Sequence, residues 1–451
     1  MARTSLTGWG RTRPSVADVV DVVDGAAAAA AIATAGGRGA LARGLGRSYG
    51  DAAQNSGGLV LRLGASIDDV VIDAQRQIAT VPGALSIDEL LRVLVARGFF
   101  VPVTPGTRFV TIGAAIASDI HGKNHHIDGS FGSHVESLDL LLADGSTVTI
   151  GPERQPQLFW ATVGGMGLTG IVLSATFRLI PIETSKMAVD TARVPDLDTL
   201  LALMTEGDDD YRYSVAWIDL LARGRHLGRS VLTRGDHARA GQFKAHDNPL
   251  AYDPRQVVSV PALIPPSGVL SHVAVAAFNE LWYRKAPRHR VQEEQSIATF
   301  FHPLDGIGAW NRLYGARGMV QYQFVVPLER DDVLRRVVEL LSARRVAAFL
   351  AVLKRFGSGN PAPLSFPMPG WTLTLDTSSA MSGLSALFAE LDELVLNAGG
   401  RHYFAKDACL GPHAAQRGYP RLAEWQAIRS SADPHRRWQS DLARRLQLLG
   451  P

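Results

Sequence analysis

Eight residues early in the chain, 44–51, constrain its fold more than any other segment. They read Gly-Leu-Gly-Arg-Ser-Tyr-Gly-Asp and follow a short apolar run. Glycine lets the backbone curl until successive N–H groups point into one concavity, which binds anions such as a pyrophosphate. Arg47 can add a cation, and Ser48 and Tyr49 can add hydroxyl donors. The segment predicts an anion-binding loop, and a structural tight turn is the alternative interpretation.

The residues after this loop indicate which kind of nucleotide site to expect. A Rossmann fingerprint requires the glycines to open a long helix behind a strand. Residues 54–58 read Gln-Asn-Ser-Gly-Gly and cannot form one. The pattern disfavours an NAD-type site and favours a loop that binds a dinucleotide without a following helix.

A second unusual segment, 118–126, reads Ser-Asp-Ile-His-Gly-Lys-Asn-His-His. The preceding run, 111–117, has almost no side-chain bulk, so its backbone can lie close to a flat or anionic ligand; tight helix packing is the alternative. Four histidines in or near this segment are candidate metal ligands: His121, His125, His126 and His134. Gly122 and Asn124 make a helix poor here, so we expect no metal and instead a histidine and a lysine beside a cofactor ring.

Composition restricts the class of protein. At 451 residues the chain is long enough for two domains, and a net charge of +3 does not resemble that of a nucleic-acid binder. The single cysteine, Cys409, excludes an internal disulfide. Aspartates interrupt the most apolar run, 19–33, which we interpret as a soluble helix rather than a membrane span. Residues 1–14 lack a following apolar region, so we expect no conventional signal peptide.

Local patterns predict a mixed α+β fold. Short strands and helices alternate over residues 38–180, including a capping box at 86–89 and a hairpin turn at Asp144-Gly145. Beyond about residue 184 the pattern changes. Strand-like runs at 213–220, 319–327 and 370–376 are interspersed with helices near 329–343 and 383–398, and a last helix is predicted over 422–449.

Two further clusters have the residue types of a catalytic pocket. Gln321 and Gln323 place two amides on one side of a strand, which is either a solvated face or a sugar-binding surface. Lys406, in the Tyr-Phe-Ala-Lys-Asp segment 403–407, and Lys354 lie among apolar residues. Each lysine is either a surface residue or a desolvated amine in a pocket.

Six motifs occur in a fixed order along the chain. They are Gly-Leu-Gly-Arg-Ser-Tyr-Gly-Asp, Asp-Ile-His-Gly-Lys-Asn-His-His, Gly-Leu-Thr-Gly-Ile, Gln-Tyr-Gln-Phe, Pro-Leu-Ser-Phe-Pro and Ala-Lys-Asp. In this order they resemble the decaprenylphosphoryl-β-D-ribose 2′-oxidase family, the flavoprotein half of an epimerase that makes the arabinose donor of actinobacterial cell walls. More widely the chain resembles the vanillyl-alcohol-oxidase group of FAD enzymes. The resemblance covers residues 6–449, and the histidine motif is its most specific part.

The resemblance implies a two-domain α+β fold with noncovalent FAD. It divides the chain into an FAD-binding domain (1–184), an inserted substrate domain on an antiparallel sheet (185–400) and a C-terminal return to the FAD domain (401–451). It assigns FAD binding to Ala42, Arg43, Gly44, Leu45, Gly46, Arg47, Ser48, Tyr49, Gly50, Asp51, Ala52, Gly106, Thr111, Ile112, Gly113, Ala114, Ser118, Asp119, Ile120, His121, Ile171 and Tyr403. It assigns catalysis to Lys406 and His121, and the substrate pocket to Tyr49, Lys123, Gln321, Gln323 and Lys354. Ser118, Thr372 and Thr374 replace residues common in the family, so we expect the pocket wall to differ.

The implied reaction is oxidation of the 2′-hydroxyl of a polyprenylphosphoryl ribose. In the family a quinone reoxidises the flavin, an NAD-dependent short-chain reductase completes the epimerisation, and the enzyme works at the plasma membrane surface, with the periplasmic face suggested. Residues 257–269 are our candidate for a lipid-facing loop, and a buried crossover is the alternative. Two other functions stay open: an FAD oxidase of a soluble sugar or alditol, and a histidine-metal hydrolase or inactive binding module.

Overall fold

The first sheet contains the strands that lead into and out of the glycine loop. The structure, a computed structural model, describes residues 2–244 and 247–450. Strands β1 (Ala2–Leu6), β2 (Ser15–Val22), β3 (Ala40–Ala42) and β4 (Leu59–Leu63) pair in the order β1-β2-β4-β3. Only β1 runs antiparallel to its neighbour, and helix α1 (Gly25–Ala33) connects β2 to β3.

The predicted single helix over 19–33 is wrong in its first part. Residues up to Val22 belong to β2, in which Ala17, Val19 and Val22 are buried. Asp24 begins the helix, because its carboxylate accepts a hydrogen bond from the Ala27 N–H at 2.7 Å. Residues buried at alternate positions, followed by an N-cap at Asp24, therefore distinguish this strand and helix from one continuous helix.

A second, antiparallel sheet of five strands lies in the order β5-β6-β10-β8-β9. The strands in this part of the chain are β5 (Val71–Asp73), β6 (Ile78–Pro82), β7 (Phe99–Phe100), β8 (Val135–Leu141), β9 (Thr147–Ile150), β10 (Ile171–Arg178) and β11 (Ile180–Pro181). The helices are α2 (Ile87–Ala96), α3 (Ile112–Ala117), α4 (His125–Asp128) and α5 (Pro156–Thr162). The predicted capping box at the start of α2 and the hairpin between β8 and β9 are confirmed.

An eight-stranded antiparallel sheet dominates the rest of the chain, in the order β16-β12-β14-β13-β19-β20-β18-β21. Its strands are β12 (Lys186–Val194), β13 (Tyr213–Ile218), β14 (Ser230–His237), β16 (His289–Ser296), β18 (Met319–Val326), β19 (Ala351–Phe356), β20 (Gly370–Ser378) and β21 (Arg401–His402), whereas β15 (Val258–Ser259) and β17 (Ile307–Gly308) pair with each other in a separate parallel sheet. The helices are α6 (Leu197–Gly207), α7 (His272–Lys285), α8 (Ile297–Phe301), α9 (Asp331–Ala343), α10 (Leu384–Asn397), α11 (Pro412–Gly418), α12 (Leu422–Ala432) and α13 (Asp441–Arg445). The last strand of the sheet lies just beyond residue 400, and the domain boundaries themselves stay a prediction.

The neighbouring strands β20 and β18, the sixth and seventh in this order, are buried on both faces. Every residue of β18 is buried, and one face, which includes Tyr322 and Phe324, packs in the core formed with helices α9 and α10. The opposite face carries Gln321 and Gln323. The predicted strand with two amides on one side is confirmed, and both amides lie in the interior.

The predicted C-terminal helix over 422–449 is wrong, because the chain forms α12 and α13 with a turn between them. Pro434 follows Asp433, and a residue before proline is disfavoured in helical conformation. Asp433 instead accepts hydrogen bonds from the N–H groups of Arg437 and Trp438 at 2.9 and 2.8 Å. Ser440 then caps α13.

No helix within residues 2–244 and 247–450 is long and apolar enough to cross a membrane.

Asp433→Ala should destabilise the protein strongly. The carboxylate is fully buried and ion-paired with the equally buried Arg429 at 2.7 Å, so its loss leaves a buried guanidinium without its charge partner. The expected decrease in the free energy of unfolding is about 3–5 kcal/mol, measured by denaturant titration. Asp332→Ala, which breaks the exposed pair with Arg330, is the control and should change little. Equal decreases in the free energy of unfolding for the two variants would contradict a special role of the buried ion pair in stability.

Candidate active site

A cavity of about 750 Å³ is lined both by residues from the first two sheets and by residues from the large sheet. Most of the predicted site residues line it: Ala42, Arg43, Gly44, Leu45, Gly46, Arg47, Ser48, Tyr49, Ala52, Gly106, Thr111, Gly113, Ala114, Ser118, Ile120, His121, Lys123, Ile171, Gln321, Gln323, Lys354, Tyr403 and Lys406. Residues far apart in the chain therefore meet at one site.

The glycine loop lies against the start of α3. A Cβ atom on Gly44 would be 2.5 Å from the Thr111 hydroxyl oxygen, so only glycine allows this approach. Nearby, the Arg47 guanidinium lies 4.0 Å from the centre of the Trp9 ring, and its buried Nε has no hydrogen-bond partner within the described residues. The buried N–H of Arg47, which lacks a protein partner and lies beside a loop of small residues, is suited to bind an anionic ligand such as a dinucleotide.

Four of the predicted FAD-binding residues do not line the cavity. Ile112 is a core residue, and Gly50 packs against the backbone of Asp407. Asp51 forms an ion pair with Arg445 at 2.6 Å. Asp119 is buried and accepts hydrogen bonds from Ser130 Oγ and Gly132 N–H at 2.9 Å, from Asn360 at 2.7 Å and from Ser365. These contacts support the loops that carry the lining residues.

His121 lies at the centre of one polar cluster. Its Nε2 is 2.9 Å from the Gln323 amide nitrogen, and its Nδ1 is 2.9 Å from Lys354 Nζ. Burial, together with the Lys354 charge, holds the pKa of the imidazole well below its usual range. Gln323 and Lys354 therefore each occupy one ring nitrogen of a neutral imidazole, which has one donor and one acceptor. Neither ring nitrogen is then free for a covalent flavin bond.

Lys406 lies in a second cluster, beside the Tyr49 ring at 4.4 Å from Nζ to the ring centre. Its turn is bonded to the glycine loop, because the Tyr49 N–H donates to the Ala405 carbonyl at 3.0 Å. Behind Tyr49, the Gln321 amide donates to the buried carboxylate of Asp376. The late-sequence lysine and the early glycine loop therefore share one wall of the cavity.

Three amines around the cavity have lowered pKa values. Burial lowers the pKa of Lys123 and of Lys354 to about 7, and that of Lys406 to about 8. The charges of Lys406 and Lys123 add to the effect at Lys354, whereas Asp376 opposes it at Lys406. Lys123 also donates to the Phe300 carbonyl and lies over the Phe300 ring. These amines can change protonation near neutral pH.

The sequence interpretation missed Asp376 and the aromatic part of the cavity. Thr372, Thr374 and Asp376 alternate along β20, and this period-two pattern was a readable signal for a polar face, although not for the strand that it pairs with. Seven further aromatic lining residues were not identified, because they are dispersed along the chain over loops, helices and a strand: Trp9, Trp217, Phe278, Trp282, Phe301, Trp310 and Phe349.

Comparisons with known proteins agree with this geometry. Residues 15–151 match the FAD binding domain family, and residues 321–446 match the D-arabinono-1,4-lactone oxidase family. Decaprenylphosphoryl-beta-D-ribose oxidase of Mycolicibacterium smegmatis is 44% identical over 98% of this chain and 97% of its own length. Alditol oxidase of a Streptomyces species is 27% identical over 40% of this chain and 42% of its own.

The fold and the matched domains define an FAD-dependent oxidoreductase with the two-domain α+β fold of the vanillyl-alcohol-oxidase type. The identity of 44% over nearly the whole length of both chains shows to which family of these oxidoreductases the chain belongs. The chain belongs to the decaprenylphosphoryl-β-D-ribose oxidase family.

Gly50→Ala should weaken FAD binding by about tenfold or more. The added Cβ would lie 2.0 Å from the Asp407 carbonyl oxygen, so the glycine loop and the Lys406 turn must separate. The flavin-to-protein absorbance ratio of the purified protein measures the effect. Gly37→Ala, where a Cβ meets nothing within 4 Å, is the matched control. Equal flavin content in the two variants would contradict the role of this contact.

Proposed function

We propose that the protein oxidises the 2′-hydroxyl of a polyprenylphosphoryl-β-D-ribofuranose to the 2′-keto sugar. This reaction is the first half of an epimerisation that yields the arabinose donor for cell-wall arabinan. The proposal rests mainly on the identity of 44% over 98% of the chain to an oxidase named for that substrate. The lysines and glutamines that line a single cavity also support it.

The lining residues divide into two groups by chemistry. The glycine loop and α3 present small side chains and backbone amides, and together with Ser118, Ile120, Ile171 and Tyr403 they would hold FAD. When it is bound, FAD supplies the hydride acceptor for the carbinol carbon. Lys123, Gln321, Gln323 and Lys354 present donors and acceptors suited to sugar hydroxyls and a phosphate. Occupation of both ring nitrogens of His121 supports noncovalent retention of FAD.

Lys406 is our candidate for the group that handles the proton or polarises the cofactor. Its pKa of about 8 allows both the ammonium and the amine form near neutral pH. The amine takes up a hydroxyl proton, whereas the ammonium stabilises negative charge. His121 packs beside the same site and orients Gln323 and Lys354 through its two ring nitrogens.

The proposed partners follow from the chemistry of substrate and oxidant. A polyprenyl phosphate and a quinone are both lipids, so the enzyme would work at the plasma membrane surface, on the periplasmic face by analogy with the family. An NAD-dependent short-chain reductase would reduce the keto sugar. Exposed apolar residues support a lipid-facing surface: Val257 and Leu263, in the 257–269 loop, are 87% and 94% exposed, and Val273 and Leu281 extend it along α7.

Lys406→Met should retain FAD but lose flavin reduction. Anaerobic mixing with polyprenylphosphoryl ribose should bleach the flavin absorbance of the wild-type protein. The flavin of the variant should be reduced at least about 100-fold more slowly. Reduction of the variant at the wild-type rate would reject the role of Lys406. Wild-type protein that stays yellow with this substrate but forms peroxide with free alditols would instead favour the soluble-alditol oxidase.

Charge in the exposed loop should prevent membrane binding. Val257→Asp combined with Leu263→Asp places two carboxylates in the proposed lipid-facing surface and should abolish flotation with liposomes that contain anionic lipid. Val23→Asp, at an 84% exposed position in the first part of the chain, is the control. Equal flotation of the wild-type protein, the double variant and the control would reject a role of this surface in membrane binding.

A further inference from the structure

The loop over residues 104–107 forms part of the cavity wall without a helix or strand of its own. All four of its residues line the cavity, in the segment between strand β7 and helix α3. The N–H groups of Gly106 and Thr107 have no hydrogen-bond partner in the described part of the chain. A Cβ atom on Gly106 would meet nothing within 4 Å. Two adjacent free N–H groups at a cavity wall are donors that a bound ligand can use.

Asp305 fixes this loop from a distant part of the chain. It lies in the single-turn 3-10 helix Pro303–Gly306, within the predicted substrate domain. Its Oδ1 accepts a hydrogen bond from the Thr107 hydroxyl at 2.7 Å, and its Oδ2 accepts one from the Arg108 N–H at 2.8 Å. The side chain is only 4% exposed. Both carboxylate oxygens are therefore occupied by the two residues that follow Gly106.

The residue before that turn holds the other end of the loop. His302 Nε2 lies 2.8 Å from the Thr104 hydroxyl oxygen, and both residues are buried. The Arg108 guanidinium completes the arrangement, because it pairs with Asp305 at 3.5 Å and also with Asp88 of α2. The loop is thus anchored at both ends, while the N–H groups between the anchors stay free.

We propose that Asp305 is a positioning residue for the flavin, which holds the 104–107 loop so that its two free N–H groups donate to the isoalloxazine ring. The inference rests on the FAD site and not on the identity of the sugar substrate. Hydrogen-bond donors beside a flavin stabilise the reduced ring more than the oxidised ring, because reduction adds negative charge. A loop fixed by Asp305 therefore raises the midpoint potential of the flavin, and a released loop lowers it.

The carboxylate charge itself would act in the opposite direction. A negative charge near the ring lowers the midpoint potential, so its removal alone would raise that potential. Arg108 pairs with the carboxylate and reduces this effect. The sign of the change in potential therefore distinguishes a positioning contact from a purely electrostatic one.

The test measures the midpoint potential of the FAD-loaded protein by reductive titration against a reference dye, without substrate. Asp305→Asn and Thr107→Val should each lower the potential by about 30 mV or more, which corresponds to a tenfold weaker preference for reduced over oxidised flavin. Thr107→Val removes the hydroxyl donor but keeps the carboxylate charge, so its effect has no electrostatic component. If Asp305→Asn retains no FAD, the result for Thr107→Val alone decides.

Thr107→Ser and Asp88→Asn are the matched controls. Thr107→Ser keeps the hydroxyl that donates to Asp305. Asp88→Asn removes an equal charge from the same Arg108 guanidinium and leaves the contact between Asp305 and Thr107 intact. Both variants should keep the wild-type potential.

A potential that rises or stays unchanged in Asp305→Asn or in Thr107→Val would overturn the inference, and so would an equal decrease in Asp88→Asn. A merely structural role of Asp305 would weaken the binding of oxidised and reduced FAD equally and leave the potential unchanged. Failure of polyprenylphosphoryl ribose to reduce the wild-type flavin would reject only the proposed substrate, because the potential measurement uses none.

Discussion

Arg445, near the end of the chain, lies between two carboxylates and connects the parts of the molecule that form the cavity. Its guanidinium donates to Asp51, at the end of the glycine loop, and to Asp407, beside Lys406. A third contact is to the Leu410 carbonyl at 2.7 Å. Buried charges are tolerated only when they are paired and hydrogen-bonded, so the loop and the lysine turn are fixed together. Without this pairing the cavity would lack a defined wall between Tyr49 and Lys406.

The large sheet supplies a second wall of the cavity through strands β18 and β20, which are buried on both faces. On β18, Tyr322 donates to Asp392 of α10 and packs against Phe388, which fixes the strand against the helical layer. Gln321 and Gln323 point the other way, since side chains alternate along a strand. The polar groups of the cavity are thus held by hydrophobic packing on the far side of the same strand.

Local chemistry explains which features were predictable from the sequence. The helix after Ser86 and the Gln321-Tyr322-Gln323 strand follow from capping and alternation, which act within a few residues. The end of helix α12 before Pro434 depends on an equally local cause. The prediction nevertheless continued the helix to residue 449, because the apolar pattern continues on both sides of the proline. Asp376 was not predictable as a partner of Gln321, because their contact depends on the register between β18 and β20. That register is set by the whole sheet.

The distribution of charge and apolar surface favours an amphiphilic substrate over a free polyol. Three amines with lowered pKa values, Lys123, Lys354 and Lys406, surround the polar part of the cavity, and their mutual repulsion is relieved by an anionic ligand. Trp282 is both a lining residue and 44% exposed, so it lies at an opening, and exposed Leu281 is adjacent on α7. A sugar phosphate with an isoprenoid chain satisfies both regions at once, because its charge lies between the sugar and the lipid. An uncharged alditol would leave the amines unbalanced and the apolar opening without a partner.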